Sequence, residues 1–181
     1  MPNYPPEVNS ELTKFAECAI VYGLRYMIIG GVALSLHAIE RYTHDGDIWI
    51  EATPDNWEKL CSVIYCIGYT QNEVTQVRNS YTQEAMRFQL AGPLDILTRV
   101  HSAFDFADVY SRHARVESAG ITHSVIGLED LREVKVRTNR DKDKHDVILI
   151  DNTRVALNQP SLDKRTPLKK WWDKMRTTWT G

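Results

Sequence analysis

The chain has 181 residues, 43% of them hydrophobic and 25% charged, a balance that suits a single domain with a buried core and excludes a disordered or collagen-like chain. With 22 Lys and Arg against 24 Asp and Glu, the formal net charge is −2, which excludes a uniformly basic nucleic-acid coat but leaves room for a local basic patch. Six of the basic and two of the acidic residues fall in 161–181, so a tail of net +4 follows a body of net −6.

Residues up to Ser10, with Pro2, Pro5 and Pro6, read as a mobile start. Asn9 or Ser10 is placed to cap a helix running to Gly23, with Leu12, Phe15, Ala16, Ala19 and Ile20 at helical spacing. Tyr26–Ile29 is a short apolar run ended by Gly30-Gly31 and predicts a buried strand, followed by a helix over Val32–Ile39. Asp47–Glu51 alternates as a strand does, and Thr53-Pro54 opens a helix to Ile67. Met86–Leu90 and Leu94–Val100 are strand candidates joined by the turn signal Ala91-Gly92-Pro93. Beyond them the pattern predicts a helix over Phe104–His113, a strand over Ile121–Ile126, and helices over Leu128–Val136 and Asp141–Ile150. Pro160–Pro167 reads as a linker before a short helix bearing Trp171, Trp172 and Met175. This order predicts an α+β domain over 1–160, a mixed sheet carrying helices, and a basic, Trp-rich tail over 161–181.

Cys18, Cys61 and Cys66 are an odd number with no C-x-x-C pair, and Cys61 and Cys66 sit in an apolar helical pattern, so reduced, buried thiols are expected. No basic stretch precedes a long apolar run at the N-terminus, and the run Tyr26–Ala38 is too short to span a bilayer. The expectation is a soluble, cytoplasmic protein in a reducing compartment, with no membrane partner.

Chemistry concentrates between Gly30 and Ile50. Asp45 and Asp47 are two apart, so on an extended segment both leave the same face. Carboxylates this close repel unless a cation lies between them or one is protonated. Mg²⁺ (or Mn²⁺) suits such a pair, because it takes a few carboxylates and fills its sphere with waters and phosphate oxygens. Gly30-Gly31, where a strand turns into a helix, offers backbone N–H groups to phosphate without a blocking Cβ. A lone Gly-Gly is more often a plain turn and a lone Asp-x-Asp a solvated loop. In this order and separation they describe a nucleoside triphosphate site.

Gly30-Gly31, a helix, then Arg41-x-Thr43-x-Asp45-x-Asp47 and apolar strand residues resemble the signature of the DNA polymerase β-type nucleotidyltransferases, nearest to the small bacterial AbiEii-like abortive-infection toxins. The resemblance covers roughly Phe15 to Ile150 and implies a palm-like fold, a mixed sheet flanked by helices with a C-terminal helical extension. It implies a third metal-binding and catalytic carboxylate, matched by Asp95 within Leu94-Asp95-Ile96-Leu97. It further implies that Lys135 and Lys142, in the run to Asp146, face the triphosphate while Asp143 and Asp146 orient basic groups; an inter-helix turn with capping aspartates would look the same. Arg41 and Thr43 would brace the loop or touch phosphate, with packing an equal alternative for Thr43. Many members have Gly-Ser where this chain has Gly30-Gly31, and Gly-Gly is common in the toxin-like branch. Helical His37 and loop His44 are read as structural.

The implied activity is Mg²⁺-dependent transfer of a nucleoside monophosphate from an NTP to RNA, such as tRNA, or to a small molecule, with a cognate antitoxin as a further partner. The tail tryptophans and lysines would either stack on RNA or dock on the body. The alternatives are a non-catalytic nucleotide- or partner-binding relative and a metal-dependent hydrolase, which lacks the usual His-Asp clusters.

Overall fold

The computed structural model describes residues 3–82, 84–90 and 92–157 of the chain. The expected linker and tail helix, and Ala91 of the expected turn, lie outside them.

Helix α1 spans Pro6–Tyr22, with Pro5 rather than Asn9 or Ser10 as its N-cap residue. Pro6 occupies the first turn, where a missing N–H costs nothing. Gly23 closes the helix in the left-handed region, φ 63° and ψ 36°. The segment read as mobile is instead part of the packing: Tyr4 and Val8 are buried with Leu12 and Phe15.

β1 (Tyr26–Ile29) is buried throughout, and α2 (Gly30–Leu36) follows it without a loop, two residues earlier than the pattern predicts. β2 (Gly46–Ile50) comes next, then α3 (Pro54–Cys66), whose cap Thr53 accepts a hydrogen bond from the Asn56 N–H at 3.3 Å. A helix not anticipated, α4 (Gln71–Asn79), starts at a Thr70–Glu73 capping box. β3 (Arg87–Gln89), β4 (Leu94–Leu97) and α5 (Phe106–Tyr110) are shorter than their predicted runs. β5 (Ala114–Ser118), also unanticipated, forms a hairpin with β6 (Ile121–Val125), and α6 (Leu128–Thr138) and α7 (Asp141–Ala156) close the described chain.

The strands form one mixed sheet in the order β3-β4-β2-β1-β6-β5. β1 runs antiparallel to β2 and parallel to β6; β2 runs parallel to β4; β3–β4 and β5–β6 are antiparallel. Register then decides where the chemistry lies. Ile29 pairs with Asp47, Asp47 with Asp95, and Ile28 with Val125. The end of β1, the starts of β2 and β4 and the end of β6 therefore meet at one end of the sheet. The buried side chains Phe15, Trp49, Trp57, Leu60 and Ile96 belong to the core beneath it.

One expectation about the thiols is overturned. Cys66 ends α3 at an exposed position and forms a disulfide with Cys18 of α1, Cα to Cα 6.1 Å. The two helices pack on one another, which brings together residues 48 apart in sequence; spacing along the chain carries no sign of it. Cys61 is free and buried, as expected. Among the described residues no helix is long and apolar enough to cross a membrane.

Candidate active site

Asp47 and Asp95 stand opposite one another on adjacent parallel strands, so their side chains leave the same face of the sheet. Asp45 lies just before β2, and Oγ1 of the buried Thr43 donates to its Oδ1 at 2.9 Å. A guanidinium reaches into this carboxylate group: Nη2 of Arg87 is 2.6 Å from Oδ2 of Asp95 and 3.6 Å from Oδ1 of Asp47. Burial, then the charges of Asp45 and Asp95, push the Asp47 carboxyl above its ordinary range, against the pull of Arg87 and Lys135. The hydrogen bond to Asp95 raises the Arg87 guanidinium further above its ordinary value.

The two glycines make room for this arrangement. Gly30 has φ 69°, and a Cβ there would lie 2.2 Å from Oδ2 and 3.1 Å from Cγ of Asp47. A Cβ on Gly31 would lie 2.7 Å from Cβ of Thr43. The space that the sequence suggests for phosphate is thus filled in part by the chain's own Asp47 and Thr43. Thr43 does pack, against Gly31.

A buried network forms the facing wall. Asp146, 1% exposed at its side chain, accepts from Nε of Arg41 and from Nζ of Lys135, each at 2.7 Å. Lys135 also lies 3.4 Å from Asp143, itself fully buried. Burial pushes the Asp143 carboxyl up, but donation from Arg140 and Thr138 and the charge of Lys135 outweigh it and hold it at about 2. Asp143 and Asp146 so orient basic groups, and the ammonium of Lys135 is engaged by both. His37 is tied down structurally, with Nε2 2.7 Å from the Ile126 carbonyl oxygen.

One cavity of about 450 Å³ is lined by Gly30, Gly31, Arg41, Thr43, Asp45, Asp47, Lys135 and Lys142, together with Asp146. Lys142 stands at an exposed position on it. Asp95 reaches the group through its contact with Arg87. Apolar walls come from Leu97, Val100, Ile126 and Leu131. Sequence reasoning missed Arg87, Arg137 and His101, which also line the cavity. The signal for Arg87 is the hairpin register: Gln89 pairs with Asp95, which makes Arg87 the diagonal neighbour of Asp95 on one face.

The donor set fits a hard divalent cation in kind: three carboxylates, one of which, Asp47, has its proton affinity raised by burial first and by its two acidic neighbours second. Its present arrangement is a different matter. Among the described residues no three His, Cys, Asp or Glu side chains come together as a metal-holding group. Thr43 engages Asp45, and Arg87 takes the space between Asp47 and Asp95.

No family profile and no curated protein sequence matches the chain. Solved structures resemble it in shape. A presumed nucleotidyltransferase from Thermotoga maritima matches with a TM-score of 0.51 at 16% identity, over 86% of this chain and 95% of that one. An antigenic nucleotidyltransferase-like protein from Paracoccidioides brasiliensis gives 0.49 at 15% identity, over 84% and 79%. At the identity of the first, the likeness is one of fold: the chain has the nucleotidyltransferase-like α+β fold, a mixed six-stranded sheet flanked by helices.

Proposed function

We propose that the cavity takes a nucleoside triphosphate together with Mg²⁺ or Mn²⁺ and transfers its nucleoside monophosphate to an acceptor. The supporting observation is the pairing of Asp47 with Asp95 across β2 and β4, with Asp45 beside them, in reach of a cavity lined by Arg41, Lys135, Arg137, Arg140 and Lys142. Carboxylates alone would repel a polyphosphate, and cations alone would need no carboxylates. Both together suit a metal–polyphosphate ligand.

Asp45, Asp47 and Asp95 would hold the cation, which supplies charge neutralisation at the phosphates and a more acidic acceptor hydroxyl. Asp95 is the candidate general base once Arg87 releases it. Lys142 meets the phosphates, with the backbone of Gly30 and Gly31 and the guanidinium of Arg140, itself paired with Asp143, beside it. Arg41 and Lys135, both locked on Asp146, position the wall rather than act at the reacting atoms. The acceptor is RNA or a small molecule. The basic segment 161–181 favours RNA such as tRNA, and with it a toxin role checked by a cognate antitoxin.

NTPs labelled at the α- or γ-phosphate, incubated with Mg²⁺, an RNA pool and a metabolite extract, test this reading. It requires the α-label to enter an acceptor while the γ-label leaves in pyrophosphate, both abolished by Asp47→Asn. Release of the γ-label alone as inorganic phosphate would indicate a hydrolase instead. The grip of Arg87 on Asp95 and Asp47 favours a second reading, a nucleotide- or partner-binding relative that keeps the fold without catalysis. Binding of NTP with no transfer to any acceptor in either pool would support it.

A further inference from the structure

We infer that Arg87 is a built-in counter-cation for Asp47 and Asp95, and that it must release them before the pair can hold a divalent cation. The inference rests on the nucleotidyltransferase reading and concerns how that site is kept when no substrate is bound.

One nitrogen, Nη2, reaches both carboxylates, at 2.6 Å and 3.6 Å. A divalent cation shared by the same oxygens would lie at about 2.0–2.1 Å from each, so guanidinium and metal exclude one another from that space. Exposure is asymmetric. The side chains of Asp95 and Asp47 are 13% and 23% exposed, that of Arg87 54%. The pair is fixed on inner strands, while the cation hangs from β3, a three-residue strand at the end of the sheet order. A guanidinium stays charged at any working pH, so Arg87 leaves by moving and not by losing a proton. Asp95, Asp47 and Asp45 hold it in place against repulsion from Arg140, and a divalent cation near the acids would add to that repulsion and weaken the hold.

Arg87 also lines the cavity, so on release it faces the space proposed for the polyphosphate and can pair with it. Cation and polyphosphate then help one another: each binds more tightly once the other has given Arg87 a reason to leave or a place to go. By linkage this coupling works equally in both directions.

Mn²⁺ alone is the probe, titrated into the full-length protein and followed by the paramagnetic resonance of the free ion. Wild type is compared with Arg87→Met, and binding is assigned to the pair by its loss in Asp47→Asn. Arg87→Met is expected to bind Mn²⁺ about tenfold more tightly than wild type, within the ordinary range of coupled sites. Should Arg87→Met fail to fold by circular dichroism, Arg87→Lys carries the same expectation with a smaller gain, because a lysine spans the two carboxylates poorly. Equal or weaker affinity in the folded variant, with wild type binding Mn²⁺, overturns the inference and leaves the nucleotidyltransferase reading standing. Absence of Mn²⁺ binding from wild type and variant alike overturns both.

Discussion

A side chain at Gly30 would put its Cβ 2.2 Å from Oδ2 of Asp47. The glycine that follows β1 is therefore what allows the carboxylate of β2 to stand where it does. Alanine at Gly30 meets two penalties, a left-handed φ of 69° and the collision with Asp47. At Gly120, with φ 78°, an added methyl would find nothing within 4 Å, so alanine there meets only the first. Both variants are expected to lose about 1–2 kcal/mol from backbone strain, and Gly30→Ala about 1 kcal/mol or more beyond that. Urea denaturation of the pair checks the difference; equal losses would show that Asp47 moves aside freely.

Asp146 joins two cations, Arg41 and Lys135, in a buried place. Removing one member of such a network strands the others, at a cost of about 3–5 kcal/mol. Asp146→Ala should approach that figure. Lys135→Met with Asp146→Leu, which removes charge of both signs, should cost less than Asp146→Ala alone. Equilibrium unfolding of the three proteins decides it.

Asp143 makes stability depend on acid. Its carboxyl is held at about 2 against an ordinary 3.8, so the folded state binds its proton later than the unfolded chain does. A depressed carboxylate contributes stability in full above pH 4, and the contribution fades as pH falls through 2. The expected loss between pH 5 and pH 2 is about 2 kcal/mol from this group. Asp143→Asn should be less stable at pH 7 and show a flatter decline over that window, measured by thermal unfolding at stepped pH.

The Cys18–Cys66 bridge closes a loop of 48 residues between α1 and α3. Constraining the unfolded chain over such a span stabilises by about 2–4 kcal/mol. Cys18→Ser with Cys66→Ser, or reduction of the wild type, should lower the urea midpoint accordingly, whereas Cys61→Ala tests only the packing of a buried thiol.

Much of the fold is legible because periodicity and punctuation agree. The apolar run Tyr26–Ile29 followed by Gly30-Gly31 marks β1 and the turn into α2, and Thr53-Pro54 marks α3. Periodicity fails for α4, whose only apolar residues are Val74 and Val77, although Thr70 and Glu73 spell its start. β5 is hard to see for another reason: it lies at the other end of the sheet order, no residue of it is fully buried, and its turn, Ala119-Gly120, uses positive φ at both positions, including an alanine. At the site, Asp45, Asp47 and Asp95 stand out as acids in or beside apolar runs. The contact of Arg87 with two of them depends on strand register, and the disulfide depends on helix packing; neither is written along the chain. The role of Gly30-Gly31 is only half legible, since the pattern indicates that a side chain is unwelcome without saying that Asp47 and Thr43 are what it would strike.

On the proposed function, Asp45 and Asp47 anchor a nucleotide through a divalent cation. Calorimetric titration of each of the four NTPs with Mg²⁺, on the wild type and on Asp45→Ala/Asp47→Ala, tests it without knowledge of the acceptor. The expected result is binding that requires Mg²⁺, favours one or more of the NTPs and disappears in the double variant. Binding indifferent to both aspartates, or no binding by the folded wild type, would contradict it.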